Sequence, residues 1–270
     1  MKDKIIESVI SIAITAGKII MGVRKKGFTY ETKSHSFDFV TTADLKSEKY
    51  IISQLQNRFP KYTIISEEKG IISGKDKNYV WYVDPLDGTK DFKNNGKGFA
   101  VMIGLCYKNK PILGVVYGPA KKILYYGEKD KGSYVRINGK DSRLMVSDVA
   151  DLKHSVMVTR IKDIEKRKGD IFEGLFKVKK KVPESSVGLK LGLIGRQKAD
   201  FHIHANSRAS KWDTCAPQII LEQAGGKITD IYGKNLYYAQ SDNNWKYSFV
   251  ASNKVLHDKI IAKTKKIRVT

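Results

Sequence analysis

A short segment that contains two carboxylates, a proline and a glycine has the residue types best suited to chemistry. Residues 84–89 read Asp-Pro-Leu-Asp-Gly-Thr and follow an aromatic and β-branched run that is typical of a strand. The proline excludes helical geometry at Asp84. Gly88 permits a sharp turn, so a short helix can begin at Thr89 with the threonine hydroxyl as its cap. Because two carboxylates suit a hard cation and helix-start N–H groups suit an anion, the segment predicts a site for Mg²⁺ and phosphate.

Further acidic residues lie next to apolar segments elsewhere in the chain. Glu67 and Glu68 follow the apolar run Tyr62–Ser66, and Asp213 precedes an apolar stretch with the character of a helix. In isolation, each of these acids could be a helix cap or an exposed charge, and residues 84–89 could be a plain turn. Carboxylates that gather without a metal repel one another. The combination therefore favours a cation site.

The order of these motifs resembles the lithium-sensitive, Mg²⁺-dependent phosphatases of the inositol monophosphatase superfamily. Ala43-Asp44, the Glu67-Glu68 pair, residues 84–89 and Trp212-Asp213 occur in the order and spacing of that family, over nearly the whole chain. The resemblance implies an α/β fold of layered helices and sheets, namely a five-layer αβαβα sandwich. It also implies two or three Mg²⁺ ions per site, which activate a water and neutralise the phosphoryl oxygens.

The resemblance also assigns roles to particular residues of this chain. It implies a metal site made of Glu67, Asp84, the Leu86 carbonyl, Asp87 and Asp213. Asp44 and Thr89 match the pair that activates the attacking water, and Glu67 matches the metal-bridging glutamate. The backbone N–H groups of Gly88 and Thr89 match those that hold phosphate. No metal ligand is missing, which argues against a catalytically inactive regulatory relative.

Three segments resemble one branch of the superfamily, the 3′(2′),5′-bisphosphate nucleotidases. They are Lys90-Asp91, Ser186-Val187-Gly188-Leu189-Lys190 and Thr214-Cys215-Ala216-Pro217. The prediction is a phosphatase of sulfur metabolism that removes the 3′-phosphate of adenosine 3′,5′-bisphosphate to give AMP, with Ser186 and Lys190 binding the substrate. A second phosphate needs a further cation, for which Arg160, Arg208 and Lys211 are additional candidates. Inositol monophosphatase is the alternative within the enzyme class.

Composition restricts the class of protein. The chain has 270 residues, of which 41% are hydrophobic, and a formal net charge of +22. The lysines are scattered and no nucleic-acid-binding motif is visible, so a basic nucleic-acid-binding protein is the less favoured alternative. The sequence has no uninterrupted apolar run of the roughly eighteen residues that a transmembrane helix needs. The two isolated cysteines, Cys106 and Cys215, are predicted to be inert buried thiols, and so few cysteines indicate the reducing cytoplasm. Peripheral membrane association is left open. Either a monomer or a homodimer is expected.

Hydrophobic periodicity predicts the elements that must position the site. Helices are predicted over Asp3–Val23, Ala43–Phe59, Asp163–Phe176, Thr214–Ala224 and Val255–Lys265. Strands are predicted over Tyr62–Ser66, Tyr79–Val83, Phe99–Tyr107, Ile112–Tyr117, Ile123–Gly127, Tyr134–Ile137, His154–Thr159, Lys227–Asp230 and Ser248–Ala251. The inner face of the second helix is expected to contain Leu45, Ile51, Ile52 and Leu55. We expect residues 1–150 to contain most metal ligands, and residues 151–270 to contain Asp213 and the substrate contacts.

Overall fold

The computed structural model of the chain describes residues 3–32, 39–160, 175–204, 209–239 and 248–266. Within these ranges the helices are α1 (Asp3–Lys26), α2 (Thr42–Arg58), α3 (Thr89–Lys93), α4 (Val187–Gly195), α5 (Lys211–Gln223) and α6 (His257–Thr264). The strands are β1 (Tyr30–Thr32), β2 (Phe39–Thr41), β3 (Tyr62–Ser66), β4 (Gly70–Ile72), β5 (Asp76–Asp87), β6 (Ala100–Tyr107), β7 (Lys110–Gly118), β8 (Ile123–Glu128), β9 (Gly132–Ile137), β10 (Lys140–Arg143), β11 (Val156–Thr159), β12 (Lys180–Pro183), β13 (Phe201–His204), β14 (Lys227–Asp230) and β15 (Phe249–Ser252).

Two sheets form the β layers. The large sheet has eight strands in the order β10-β9-β8-β7-β6-β5-β3-β4, and the small sheet has five in the order β12-β11-β13-β15-β14. In the large sheet only β3 and β5 pair in parallel. Because parallel neighbours end at the same edge of a sheet, this pair brings the residues that follow β3 close to the end of β5.

Alternating side chains along the central strands explain why both faces of the large sheet are covered. Val101, Ile103 and Leu105 of β6 join the core beneath α1 and α2, whereas Ala100 and Met102 join the core beneath α5. The helix α5 contacts β5 to β8 of the large sheet and β14 of the small sheet, and α4 contacts β11 and β13. Because α6 packs on β15 from the outer side, the predicted five-layer αβαβα sandwich is confirmed.

The N-terminal helix α1 is long and apolar enough to cross a membrane by length and composition alone. In the structure its apolar side belongs to the core, because Val9, Ile12, Ala16 and Ile20 are fully buried. The helix packs on α2, β6 and β7. Core packing therefore accounts for its apolar sequence.

Some predicted elements need correction. Leu45 is 50% exposed, so its predicted inward position is wrong, because the first turns of α2 direct Asp44, Ser47 and Glu48 inward instead. The strand predicted at Tyr79–Val83 extends from Asp76 to Asp87. The helix predicted at Asp163–Phe176 lies outside the described residues, apart from its last two positions.

Candidate active site

The parallel pair β3–β5 brings Glu67 next to Asp84. Ser66 is in register with Val83, and the next backbone N–H group, that of Glu67, donates to the Val83 carbonyl at 3.2 Å. Asp84 is the residue that follows Val83, and it is only 2% exposed. Two acids 17 positions apart in the sequence thus become neighbours through strand register.

The end of β5 departs from regular pairing, and this departure shapes the turn. The register of β5 against β6 shifts between Asp84 and Asp87, and Asp84 Oδ1 accepts a hydrogen bond from the Leu86 N–H at 2.9 Å. Gly88 then adopts a left-handed conformation with φ of 92°. A Cβ atom there would lie 2.5 Å from the Gly98 carbonyl oxygen. Both observations explain why glycine is required at the start of α3.

Asp44 and Thr89 meet as predicted, although the threonine does not cap α3. Gly88 is the N-terminal cap residue and no side chain caps this helix. The Thr89 hydroxyl instead lies 3.2 Å from Asp44 Oδ1 and 3.0 Å from the Leu86 carbonyl oxygen. The other carboxylate oxygen of Asp44 accepts from the Thr41 N–H at 2.8 Å and from the Thr41 hydroxyl. Burial raises the pKa of Asp44, and the hydrogen bonds from Thr41 and Thr89 lower it in part.

Asp87 is held at the start of α4. Its Oδ2 atom accepts hydrogen bonds from the Ser186 hydroxyl and from the Gly188 N–H, the latter at 3.1 Å. Ser186 is the cap of this helix, because its hydroxyl also accepts from the Leu189 N–H at 3.1 Å. Burial raises the pKa of Asp87, and its hydrogen bonds and the Lys190 charge oppose that rise. Ser186, which was predicted to bind substrate, contacts a predicted metal ligand here.

Asp213 lies in the first turn of α5, two residues inside the helix rather than before it as predicted, because α5 begins at Lys211. Its Oδ2 atom accepts from the Ser210 N–H at 2.6 Å, which completes a capping box. Burial and the charge of Asp87 raise the pKa of Asp213 to about 7. Hydrogen bonds with Ser210 and Asp84 and the charge of Arg160 act in the opposite direction and lower this pKa in part.

The predicted substrate cations lie in different environments. Lys190 is fully buried, and its ammonium group donates to the Ser185 carbonyl at 3.1 Å. Lys211 is also buried and donates to the Ala239 carbonyl. Arg160 is exposed just beyond β11, and its charge acts on Asp213. Arg208 lies outside the described residues.

Two polar residues of α2 belong to this region although no motif indicated them. The Ser47 hydroxyl donates to the Pro85 carbonyl at 3.0 Å. Glu48, which is 5% exposed, accepts hydrogen bonds from the turn that contains Glu67. Both residues follow Asp44 at helical spacing, so helical periodicity would place all three on one face of α2.

The two cysteines contact each other in the core, and a cavity lies elsewhere in the molecule. Cys106 and Cys215 are both buried, as predicted, and their sulfur atoms are 3.5 Å apart. Burial raises the pKa of Cys106 well above its usual range. A cavity of about 530 Å³ lies between α1 and strands β7 to β9, and none of the four predicted acidic ligands lines it.

Comparison with known proteins places this chain in a family. The sequence profile described as "Inositol monophosphatase family" matches residues 1–268. The chain belongs to the inositol monophosphatase family. An inositol-1-monophosphatase of Caulobacter vibrioides is 33% identical over 238 residues, with 85% of this chain and 88% of the relative covered. Members of the family are phosphatases, so the resemblance seen in the motifs is confirmed.

Solved structures agree with this assignment. The inositol monophosphatase from Anabaena (Nostoc) sp. PCC 7120 has a TM-score of 0.79 and 25% identity, with 98% of this chain and 97% of that chain covered. An IMPase/NADP phosphatase solved with Mg²⁺ and phosphate has a TM-score of 0.77 and 23% identity, with 96% and 93% covered. None of these three relatives is named a bisphosphate nucleotidase. Their names favour the inositol monophosphatase alternative slightly over our nucleotidase prediction.

The charges of the candidate site suit a hard cation. Burial raises the pKa of Asp84 well above its usual range, and the charges of Glu67, Asp87 and Asp213 raise it further. Among the residues that the structure describes, no group of three or more acidic, histidine or cysteine side chains is arranged to hold a metal ion by itself. Open sites are usual for Mg²⁺, which keeps several waters and substrate oxygens as ligands. The charges of Glu67, Asp87 and Asp213 act on Asp84, and carboxylate oxygens are ligands that such a cation prefers.

Proposed function

We propose that this protein is an Mg²⁺-dependent phosphatase that hydrolyses a small-molecule phosphate monoester. The observation that supports this proposal is that Asp84 is buried and that the charges of Glu67, Asp87 and Asp213 raise its pKa beyond the effect of burial alone. A buried group of like charges destabilises a fold unless a counter-ion joins it. The two or three Mg²⁺ ions implied by the motifs would be held by these residues and the Leu86 carbonyl. When bound, they supply positive charge that stabilises the phosphoryl oxygens and the leaving oxygen.

The protein's own contribution to hydrolysis is to direct the attacking water and accept its proton. Thr89 Oγ1 lies within hydrogen-bond distance of Asp44 Oδ1, which leaves the hydroxyl oxygen able to accept from a water. Because burial raises the pKa of Asp44, this carboxylate accepts a proton more readily than an exposed aspartate does. As the water oxygen bonds to phosphorus, the bond between phosphorus and the ester oxygen breaks, and the proton of the water passes through the Thr89 hydroxyl to Asp44. The ester oxygen leaves as an alkoxide and takes up a proton from solvent water. The N–H groups of Gly88 and Thr89 hold phosphate in this proposal.

Inositol monophosphate is the substrate that the relatives support best. The Caulobacter vibrioides relative is named inositol-1-monophosphatase, and the structural neighbour from Anabaena (Nostoc) is named inositol monophosphatase. Ser186 contributes to this site through its hydrogen bond to Asp87. We therefore expect a compact polyol monophosphate to be hydrolysed.

Adenosine 3′,5′-bisphosphate is the second candidate, because cations lie beside the carboxylates. The charge of Lys190 lowers the pKa of Asp87, and the charge of Arg160 lowers that of Asp213. Lys190 is directed at the Ser185 carbonyl, whereas Arg160 is exposed. Arg160 is thus the more accessible partner for a second phosphate, and Lys190 remains a predicted contact.

Phosphate release from a panel of substrates tests the proposed activity. The panel contains inositol 1-phosphate, fructose 1,6-bisphosphate, 3′-AMP and adenosine 3′,5′-bisphosphate, each with chelator and with Mg²⁺ restored. We expect release that disappears in chelator and returns with Mg²⁺, with inositol 1-phosphate among the good substrates. Full activity in excess chelator would refute the metal-dependent mechanism, and no release from any member would refute the phosphatase assignment.

Charge-neutral variants test whether the site binds the second phosphate of a bisphosphate substrate. We compare Arg160→Met and Lys190→Met with a control variant, Lys153→Met. Lys153 is an exposed lysine shortly before the first residue of β11. A charge-assisted hydrogen bond contributes about 1.5–3 kcal/mol, so its loss should lower kcat/KM roughly tenfold to a hundredfold. If a second phosphate is bound, Arg160→Met lowers kcat/KM for the bisphosphate by that factor and leaves 3′-AMP unchanged. Equal effects on both nucleotides would remove the second-phosphate role.

A further inference from the structure

Glu48 of α2 binds the turn that follows β3 through three hydrogen bonds to one carboxylate oxygen. The Oε1 atom accepts from the Glu68 N–H and the Lys69 N–H, each at 3.0 Å. It also accepts from the Ser66 hydroxyl. Glu67 lies in the middle of these donors. The carboxylate of Glu48 thus fixes the backbone on both sides of a predicted metal ligand.

The position of Glu48 on α2 connects this turn to the rest of the site. Asp44, Ser47 and Glu48 lie on the buried face of the helix. Asp44 contacts the Thr89 hydroxyl, and Ser47 contacts the Pro85 carbonyl. One rigid helical face therefore holds three separate segments: the start of α3, the turn at the end of β5, and the turn after β3.

We propose that Glu48 is a positioning residue that fixes the Ser66–Lys69 turn, and thereby holds Glu67 next to Asp84, where the two carboxylates would help to hold a cation. The inference rests on the proposed function, because Glu67 is a ligand only if the site binds metal. Glu48 acts through the backbone of the turn. Residues that orient a ligand typically change metal affinity or activity about 10- to 100-fold when they are removed.

A buried acid elsewhere in the chain provides a matched control. Asp230 at the end of β14 is 7% exposed, and its Oδ1 atom accepts from the Tyr232 N–H at 2.9 Å and the Lys234 N–H at 2.8 Å. Asp230 resembles Glu48, because in each buried carboxylate one oxygen accepts hydrogen bonds from two backbone amides of a turn. Its removal should cost stability, and it is not among the residues of the candidate site.

The first measurement is Mg²⁺ binding by calorimetry to the purified full chain, with wild type, Glu48→Ala, Glu48→Gln and Asp230→Ala. We expect Glu48→Ala to weaken Mg²⁺ binding roughly 10- to 100-fold. Glu48→Gln keeps an acceptor oxygen and should weaken binding less. Asp230→Ala should leave the affinity unchanged. In parallel, Glu48→Ala should raise the Mg²⁺ concentration needed for half-maximal phosphatase activity, while saturating Mg²⁺ restores most of kcat.

The second measurement is amide hydrogen exchange in metal-free protein, which needs no activity. In wild type the Glu68 and Lys69 amides donate to Glu48, so in Glu48→Ala we expect them to exchange about tenfold faster or more. Asp230→Ala should accelerate Tyr232 and Lys234 instead. Faster exchange at Glu68 and Lys69 together with weaker Mg²⁺ binding supports the inference.

The outcomes separate the inference from the proposed function. If wild type binds Mg²⁺ and releases phosphate but Glu48→Ala has the same Mg²⁺ affinity, Glu48 has only a structural role and the inference is wrong. The inference is equally wrong if Glu48→Ala and Asp230→Ala weaken Mg²⁺ binding to the same extent. If wild type neither binds Mg²⁺ nor releases phosphate, the proposed function fails, and with it the premise of the inference.

Discussion

Asp84 in the large sheet and Asp230 in the small sheet are both buried carboxylates near the end of a strand, and their surroundings differ. Asp230 accepts hydrogen bonds from the amides of Tyr232 and Lys234. Asp84 accepts one from Leu86 and faces the charges of Glu67, Asp87 and Asp213, which raise its pKa in addition to burial.

This difference shows how a structural acid can be told from a functional one. Burial of a carboxylate is tolerated when hydrogen-bond donors satisfy it, as at Asp230. Several carboxylates that are buried together repel one another, so the arrangement lowers stability in the absence of a cation. Groups with pKa values shifted by such neighbours cluster at functional sites. If the comparison holds, changes at the two places should have opposite effects on stability and very different effects on activity.

The largest effect is expected from Asp213→Asn and Asp84→Asn. Loss of one carboxylate should lower kcat by about two to three orders of magnitude, because charge stabilisation is usually the dominant catalytic contribution. In chelator, the same variants should have a higher Tm than wild type, because one repelling charge has been removed. Phosphate release and thermal unfolding check both effects. Near-normal turnover together with a lower Tm would show that these acids are structural.

The next largest effect concerns the pair that directs the water. Thr89→Ala should lower kcat about a hundredfold, which is at the low end of the usual range for proton-transfer catalysis. Because Thr89 is not a predicted side-chain metal ligand, its change should alter Mg²⁺ affinity much less than Asp84→Asn does. Asp44→Asn should behave like Thr89→Ala. Kinetics over a range of Mg²⁺ concentrations measures kcat and metal affinity separately, and unchanged turnover in both variants would leave the Thr89–Asp44 contact a purely structural one.

The pH dependence of metal-free stability should also distinguish the two regions. The pKa of Asp213 is raised from 3.8 to about 7 in the folded chain. Between those pH values the folded chain keeps a proton on Asp213 that the unfolded chain releases, so the contribution of Asp213 to the free energy of unfolding should fall as the pH rises from about 4 to about 7. Burial lowers the pKa of His202 and that of His257, and these two residues contribute in the opposite direction. Denaturant unfolding in chelator at several pH values measures the slope. The slope should be more positive in Asp213→Asn than in wild type, and an identical slope in the two proteins would contradict the raised pKa of Asp213.

The smallest effect on activity is expected from Asp230→Ala. Loss of this carboxylate leaves the amides of Tyr232 and Lys234 without their acceptor, at a cost of about 1–3 kcal/mol in the free energy of unfolding. Turnover per folded molecule should remain that of wild type. Equilibrium unfolding and active-enzyme kinetics on the same sample provide the check, and a large loss of turnover would break the proposed distinction between the two acids.

Strand and helix boundaries near the site were predictable to different degrees from the sequence. The strand of Tyr62–Ser66 is present as predicted, because its apolar run is short and bounded by turn residues. The register that pairs Ser66 with Val83 could not be predicted, because it depends on long-range packing. Family resemblance, rather than periodicity, was what joined Glu67 and Asp84 in one predicted site.

Hydrogen-bond partners were harder to predict than positions. The sequence predicted that the Thr89 hydroxyl caps α3, yet this hydroxyl donates to Asp44. The partner could not be predicted, because α2 reaches the start of α3 only in the folded chain. Likewise, Leu45 was expected inside because it is apolar. The first turns of α2 bury Asp44, Ser47 and Glu48 instead, because these side chains hold the turns of the site, and there a functional requirement has overridden the usual hydrophobic pattern.

The most direct test of the central claim, that the carboxylate cluster is a cation site, is calorimetric Mg²⁺ titration of the metal-free protein near pH 6. The titration is repeated in buffers of different ionisation enthalpy, which reports the protons released on binding. Because the pKa of Asp213 is about 7 without metal and ligands must lose their protons to bind, we predict saturable binding that releases protons. Asp230→Ala should match wild type, whereas Asp84→Asn should lose the binding. An absence of Mg²⁺ binding in wild type, or binding without proton release that persists in Asp84→Asn, would contradict the account.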